Sequence, residues 1–534
     1  MKRYFITILA LLTFSFTFAQ DFYDALRYAQ TEYGGTARSI SMGSAFGALG
    51  GDFVSASINP AGLGFYRSGE LTLSPTLNFN QMESSYLNNL ESDYKYNFNF
   101  NNLSYVATAN TGIESGIVNF SFGVGYNRLK NFHSNAMIQG FGANTTLLNY
   151  YTDYANSIGN VNSFDPHYEG LAWNTYLVDE DLDPEVIEGI YYNDLTDYQA
   201  YEIYDENNNY LGIGYDATGV KPHQQKKHIE QIGKIDEYLL SMGANVNHKF
   251  YFGASIGLVD LQFKQYTMYS ETDNEEQSAI LNNFTLDQVL TESGFGINFK
   301  AGIIYRPIPS LRLGAAFHTP TFYEISRYDN KQMTANYDQG IGNPDDGYYQ
   351  QHNDDNYQDY AYELETPLKI NLSAAYTFAD KGLISVDYEM VNYANARFRA
   401  IAGDNFDYSG HNSDIDNVYQ SVANIRIGGE YRLTPNFSLR AGYNLLGNPW
   451  QDSYTFDDGT SAALHNNSDT FSAYTGGFGY RQNKFFVDFA YRLNQNNFAH
   501  KVHEIYYTNP GQGDATATIT ELNHQATVTF GFRF

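Results

Sequence analysis

The chain has 534 residues, a formal net charge of −29 and no cysteine. A surface this acidic repels phosphate and excludes nucleic acid as a partner, while the lack of cysteine excludes disulfides, thiolate metal sites and a lipidated N-terminal cysteine. With 48 Tyr and 38 Phe, the chain carries far more aromatic surface than a disordered acidic segment would. Lys2 and Arg3 precede an uncharged apolar stretch from Tyr4 to Ala19, and Gln20 and Asp21 follow. This is the pattern of a secretory signal peptide over residues 1–19, cut after Ala19 or one residue later. It is shorter than the roughly 20 residues of a spanning helix. No later segment is long and apolar enough for one, so any membrane crossing must use strands.

Residues 20–66 do not alternate. Phe22, Ala25, Leu26 and Ala29 have helical spacing, and the remainder is rich in Gly, Ala and Ser. A piece this small cannot fold alone, so it is expected as a plug inside a larger structure.

From residue 67 onward the dominant signal is a period of two. Ala423, Ile425, Ile427, Gly429, Tyr431 and Leu433 alternate with Asn424, Arg426, Gly428, Glu430 and Arg432. After Thr434-Pro435 the pattern resumes at Phe437, Leu439, Ala441, Tyr443 and Leu445. That is an antiparallel hairpin with one lipid-facing and one water-facing side. A mean hydropathy of −0.44 is compatible with such a wall, since half of each strand is polar.

Fourteen strands are predicted, near 69–82, 98–111, 116–130, 237–249, 250–268, 293–306, 310–326, 366–379, 382–398, 420–433, 436–446, 470–481, 483–499 and 520–534. Short links such as His248-Lys249, Asp380-Lys381 and Gln482 alternate with long ones, as periplasmic turns alternate with extracellular loops in a barrel. An even strand count then places both termini in the periplasm. Pro75 predicts a bulge or late start in the first strand. In the fifth strand the apolar phase shifts from Phe252, Ala254, Ile256 and Leu258 to Val259, Leu261 and Phe263, which predicts a bulge near Leu258. The connections 131–236 and 328–365 read as exposed acidic loops, with short helices of their own allowed. The run VDEDLDPEVIE at 178–188 matches no EF-hand spacing and reads as a solvated loop rather than a calcium site.

The segment TARSISMGSAFGALGGDFVSASINPAGLG at 36–64 resembles the N-terminal hatch of the FadL/TodX outer-membrane transporters of long-chain fatty acids and aromatic hydrocarbons. Asn59, Pro60 and Ala61 match that family's Asn-Pro-Ala motif. LRLGAAFHTPT at 311–321, LISVDYEMVNYANARF at 383–398, LRAGYNLL at 439–446 and the terminal ATVTFGFRF extend the likeness. The resemblance implies an all-β, fourteen-stranded transmembrane antiparallel barrel over 67–534, plugged by a hatch at 20–66, in a Gram-negative outer membrane. It also implies capture of hydrophobic cargo outside and its sideways release at a kink in the third strand. Asn59, Pro60 and Ala61 are then the expected hatch gate, and Gly123 and Gly125 the expected kink, although glycines there also suit ordinary barrel curvature.

Lys300, Arg306, Arg312, Lys369, Arg426, Arg432, Asp387, Glu389 and Asp488 are expected to form a mixed charged lumen wall. Arg306, Arg312, Arg426 and Arg432 are candidates to bind a cargo carboxylate, against a wall that is solvated or internally paired. No cofactor or metal is expected. The expected partners are a hydrophobic ligand, outer-membrane lipid and the barrel-assembly machinery acting on the strand that ends at Phe534, with the chain a monomer. No nucleophile elbow or HExxH motif occurs, and His318 reads as polar lining, so an enzyme is not expected. A general porin, a surface adhesin and a haem receptor are the alternatives.

Overall fold

The computed structural model describes residues 22–180, 190–193, 195–204, 208–220, 224–272, 281–337, 350–379, 381–451, 470–503 and 515–534. The predicted signal peptide and most of the 178–188 acidic run lie outside them. Fourteen strands in chain order make one closed antiparallel wall. The first six are Glu70–Tyr86, Asn89–Asn110, Ile117–Asn131 with Ser134–Phe141, Gln224–Val246, Phe250–Thr272 and Leu281–Ile308. The seventh to ninth each run in two pieces, Leu311–His318 with Phe322–Tyr337, Gln350–Glu365 with Lys369–Phe378, and Gly382–Asn392 with Arg397–Ala400. The last five are Ser421–Arg432, Phe437–Leu446, Thr470–Gln482, Phe485–Lys501 and Thr516–Arg533. The first pairs with the fourteenth from Glu70↔Arg533 to Ser85↔Thr518, so the wall has no free end.

Alternation decides what each face does. Leu71, Leu73 and Leu77 stand outward and exposed, while Thr72, Ser74 and Thr76 point inward and are buried. The same outward apolar face continues through Phe120, Phe122 and Val124, and through Leu240 and Met242. Among the described residues no helix is long and apolar enough to cross a membrane.

The bulge expected at Pro75 is present: the first strand's register on the second shifts between Ser74 and Pro75. The bulge expected near Leu258 is absent, because the fifth strand runs in unbroken register against both neighbours. The phase shift there marks the edge of the apolar band. Beyond Leu258 the outward side turns polar, with Asp260, Gln262 and Lys264, while Val259, Leu261 and Phe263 face an apolar lumen.

The strands extend well past the 9–11 residues needed to cross hydrocarbon, to 23 in the fifth and 28 in the sixth. The predicted loop at 328–365 is therefore largely strand. Nor is the 131–236 connection only a solvated loop. Helices at Leu147–Ile158 and Glu169–Asn174 bury Leu148, Tyr151 and Leu171 against wall residues such as Phe284 and Ile519, forming a cap in the long-loop mouth.

Candidate functional site

The N-terminal segment fills the lumen. Its first helix, α1 (Phe22–Ala29), lies on the long-loop side, where Phe22 packs edge-on to Tyr419 and Trp450. Phe534 sits at the short-turn rim, with its amide on the Gly69 carbonyl, whereas Phe22, the first described residue, is held far from that rim. The reason is packing, since Leu26 and Tyr28 find an apolar shelf in Phe132, Val259 and Phe263.

A buried ionic cluster fixes α1 to the wall. Arg327 pairs with Asp24 at 2.6 Å and Glu292 at 3.3 Å. Tyr28 and Tyr362 both donate to Glu292, the latter at 2.8 Å. Burial, reinforced by the Glu292 carboxylate, holds the Tyr28 phenol well above its ordinary range, so it remains a donor.

Below α1 the chain descends toward the short-turn rim. Asn59 is fully buried and caps the 3-10 turn Pro60–Phe65, accepting from the Ala61 amide at 3.2 Å. Its Nδ2 donates to the Gly47 carbonyl at 2.7 Å, and His318 meets the Ile58 carbonyl at 2.8 Å. The facing wall is glycine for steric reasons, because a β-carbon on Gly302 would collide with Asn59 and one on Gly253 with Pro60. The Asn-Pro-Ala triplet is thus one place where hatch and wall approach closely, as Met42-Gly43 against Gly428 and Gly442 is another.

The four candidate arginines engage separate partners. Arg306 holds the Pro309 carbonyl at 2.9 Å in a short turn, and Arg432 is exposed at the same rim. Arg312 donates to the Leu49 carbonyl and lies 4.3 Å over the Phe65 ring. Arg426 is buried against Glu389 at 2.9 Å and over Tyr33. Arg312 and Arg426 therefore brace the hatch, as do Asp387, which accepts from the Gly47 amide, and Lys369, which donates to Thr31.

Gly123 and Gly125 lie within regular ladder. Their pairing with Val106 and Ser104 is continuous. They make room for the hatch ring of Phe53, which a β-carbon would approach to 2.9 Å at Gly123 and 2.6 Å at Gly125. The third strand breaks further on, at Phe132-His133. Its ladder to the second strand ends at Asn102↔Asn127, leaving residues 89–101 paired only with the first strand. Its outer piece, Ser134–Phe141, pairs only with the fourth strand and meets the inward Ser84, whose hydroxyl donates to the Met137 carbonyl at 2.5 Å. Side chains close this seam in place of backbone: Lys95 with Glu230 at 2.5 Å, Asn131 with Asn97 at 3.4 Å and Tyr126 with the Phe100 carbonyl at 2.6 Å.

A cavity of about 370 Å³ lies between α1, the seam and the last wall strands. Leu26, Phe132, Trp450 and Phe498 supply apolar lining, and Glu521 and Lys130 supply charge. Lys130 donates to the Arg27 carbonyl at 3.0 Å and forms no salt bridge among the described residues. Reading the sequence missed Lys130; the only signal was a cation in the Lys130-Asn131-Phe132-His133 run, where alternation ends.

The family model for outer membrane protein transport proteins (OMPP1/FadL/TodX) matches residues 230–534. A Pseudomonas aeruginosa FadL homologue superposes with a TM-score of 0.52 at 14% identity, over 94% of this chain and 99% of the other. The P. putida toluene transporter TodX gives 0.49 at 12% identity, over 94% and 99%. The Ralstonia pickettii toluene transporter TbuX gives 0.45 at 14% identity, over 94% and 98%. No curated protein matches in sequence. With more than half its length matched by the family model and a fourteen-stranded barrel around a filled lumen, the chain belongs to the FadL/TodX family of outer membrane transport proteins.

Proposed function

We propose that the protein takes up hydrophobic small molecules, long-chain fatty acids or aromatic hydrocarbons, through a Gram-negative outer membrane and releases them sideways at the third-strand seam. The carrying observation is that the cavity reaches Lys130 to Ser134, the residues beside the only stretch of the third strand that lacks a backbone ladder to its neighbour. A greasy cargo gains about 0.8 kcal/mol per methylene by staying out of water, so a path from cavity to lipid costs less than an aqueous pore. Of the cavity's Arg27 and Lys130, Arg27 is paired with Asp24, and Lys130, with no salt bridge among the described residues, is the cation to meet a cargo carboxylate. Membership of the FadL/TodX family supports the same substrate class.

On this reading the short turns face the periplasm, residues 1–19 are removed on export, the strand ending at Phe534 is read by the assembly machinery, and the barrel works as a monomer. The Asn59-Pro60-Ala61 contact is the gate. A general porin is disfavoured because the hatch fills the lumen. The test is uptake of radiolabelled oleate and of toluene by cells with and without the protein. Equal uptake by both strains sinks the proposal.

A further inference from the structure

The seam is not the only irregular place in the wall. The seventh, eighth and ninth strands are all interrupted, at Thr319–Thr321, Thr366–Leu368 and Tyr393–Ala396. The interruptions lie at one level. Phe322 pairs with Glu365 and His318 with Lys369 on either side of the first two breaks, and Glu365 pairs with Arg397 and Lys369 with Val391 on either side of the third.

Pro320 and Pro367 stand in the first two breaks and have no amide to leave unpaired. Threonine hydroxyls supplement what is left of the ladder, in which the Thr319 amide donates to the Phe299 carbonyl at 3.0 Å and the Thr366 amide to the Thr321 carbonyl at 3.1 Å. The Thr366 hydroxyl accepts from the Thr321 amide at 2.9 Å, and the Thr319 hydroxyl from the Phe299 amide at 2.9 Å. The hydroxyl bonds can be exchanged by rotation about one side-chain torsion, so opening the first two breaks has to part the two backbone bonds.

Each side of this patch has a hollow. Inside, a cavity of about 40 Å³ is bordered by Thr319, Thr321 and Thr366, and it shares Thr31 with the larger lumen cavity. Outside, a groove of about 390 Å³ has an apolar floor of Phe295, Ile297 and Phe322 and a polar upper edge where Arg399 pairs with Glu365 at 2.7 Å. The two hollows share one residue, the buried Tyr323. Its ring lies over Gly296, where a β-carbon would stand 2.6 Å away, so the glycine makes the space the ring occupies.

We propose that the aligned breaks of the seventh to ninth strands form a second lateral passage, closed by Tyr323, through which an apolar chain moves between the lumen and the membrane at the upper edge of the apolar band. The groove suits an amphiphile, with its chain on the phenylalanine floor and its head at the polar edge, where Arg399 stands among Glu324, Glu363 and Glu365. The inner cavity holds about one water, so the passage is shut in this conformation and opens when the ring swings away. The proposal rests on the transport reading above, and the test separates the two.

Because the chain has no cysteine, engineered pairs are unambiguous. The double variant Thr321→Cys/Thr366→Cys, joined by a disulfide, locks the breaks. Asn97→Cys/Asn131→Cys, bridged by a reducible bismaleimide, locks the seam. Uptake of radiolabelled oleate is measured for each, for both together, and after reduction. The passage predicts that the seam-locked protein keeps part of its uptake, that the doubly locked one loses it, and that reduction restores both. Tyr323→Ala should raise the uptake of the seam-locked protein.

If the seam lock alone removes all uptake while the break lock leaves the wild-type rate, the second passage is refuted and the transport reading stands. Wild-type rates in every locked form refute both lateral routes, though cargo still crosses. Uptake no greater than in cells lacking the protein refutes transport itself, and the passage with it.

Discussion

Asn59 shows how one side chain ties two structures together. It caps a hatch turn, donates to the Gly47 carbonyl, and is tolerated by the wall only because Gly302 has no side chain. Asn59→Ala leaves buried groups without partners, at a cost of about 1–3 kcal/mol. The hatch should loosen while the barrel still assembles. Single-channel recordings should then show ion conductance that the wild type lacks, with the folded species still running ahead of its boiled form on a gel. Lys130→Met tests the cavity's cation. A hydrogen bond to a charged group is worth about 1.5–3 kcal/mol, so oleate affinity should fall about tenfold or more while toluene binding holds. An equal loss for both ligands would remove Lys130 from the role. Of the residues singled out in the sequence, the Asn59-Pro60-Ala61 triplet marks a real contact, whereas the arginines could not be sorted. Alternation assigns a side chain to the inner face without saying which carboxylate or carbonyl it will meet there.

At the scale of elements, α1 is the piece whose position the sequence left open. Its spacing announces a helix, but its seat on the long-loop side depends on Phe263 and Glu292 from strands far along the chain. Arg327→Leu removes one of the two cations, with Arg27, that pair with Asp24 and Glu292, and breaking a buried pair costs about 3–5 kcal/mol. The expected outcome is release of α1, measured as protease cleavage near residue 30 in membranes where the wild type resists. The fifth strand teaches a related lesson. Its phase shift looks like a bulge, yet the register is straight and the surroundings change, from lipid outside to apolar hatch inside. A period of two cannot distinguish a strand that turns over from one that leaves the membrane. In the third strand, Gly123 and Gly125 leave room for the Phe53 ring, a contact that the spacing of residues does not announce.

At the scale of the molecule, closure is the decisive event. The first and fourteenth strands meet, and Phe534 stacks on Tyr105 at 5.7 Å between ring centroids. Deleting Phe534 should lower the amount of folded protein recovered in the outer-membrane fraction without changing total synthesis. Recovery at the wild-type level would show that closure does not need the terminal ring. A closed barrel pairs its backbone amides strand to strand, save at the seam where side chains stand in, which is why a chain with negative mean hydropathy can occupy a membrane. The same closure creates the interior that the hatch needs, since residues 22–66 have too little apolar surface to fold without walls.

The sequence by itself determined the number of strands, their inward and outward faces and the presence of a plug, because each follows from local periodicity and from what lipid demands of a backbone. Tertiary structure alone decided where the plug sits, which inner charges are spent on holding it, and where the wall lacks a ladder. Those outcomes depend on residues hundreds of positions apart meeting in space, such as Tyr28 with Glu292 or Asn59 with Gly302. No repeat of two residues records which partners will face each other once the sheet has closed.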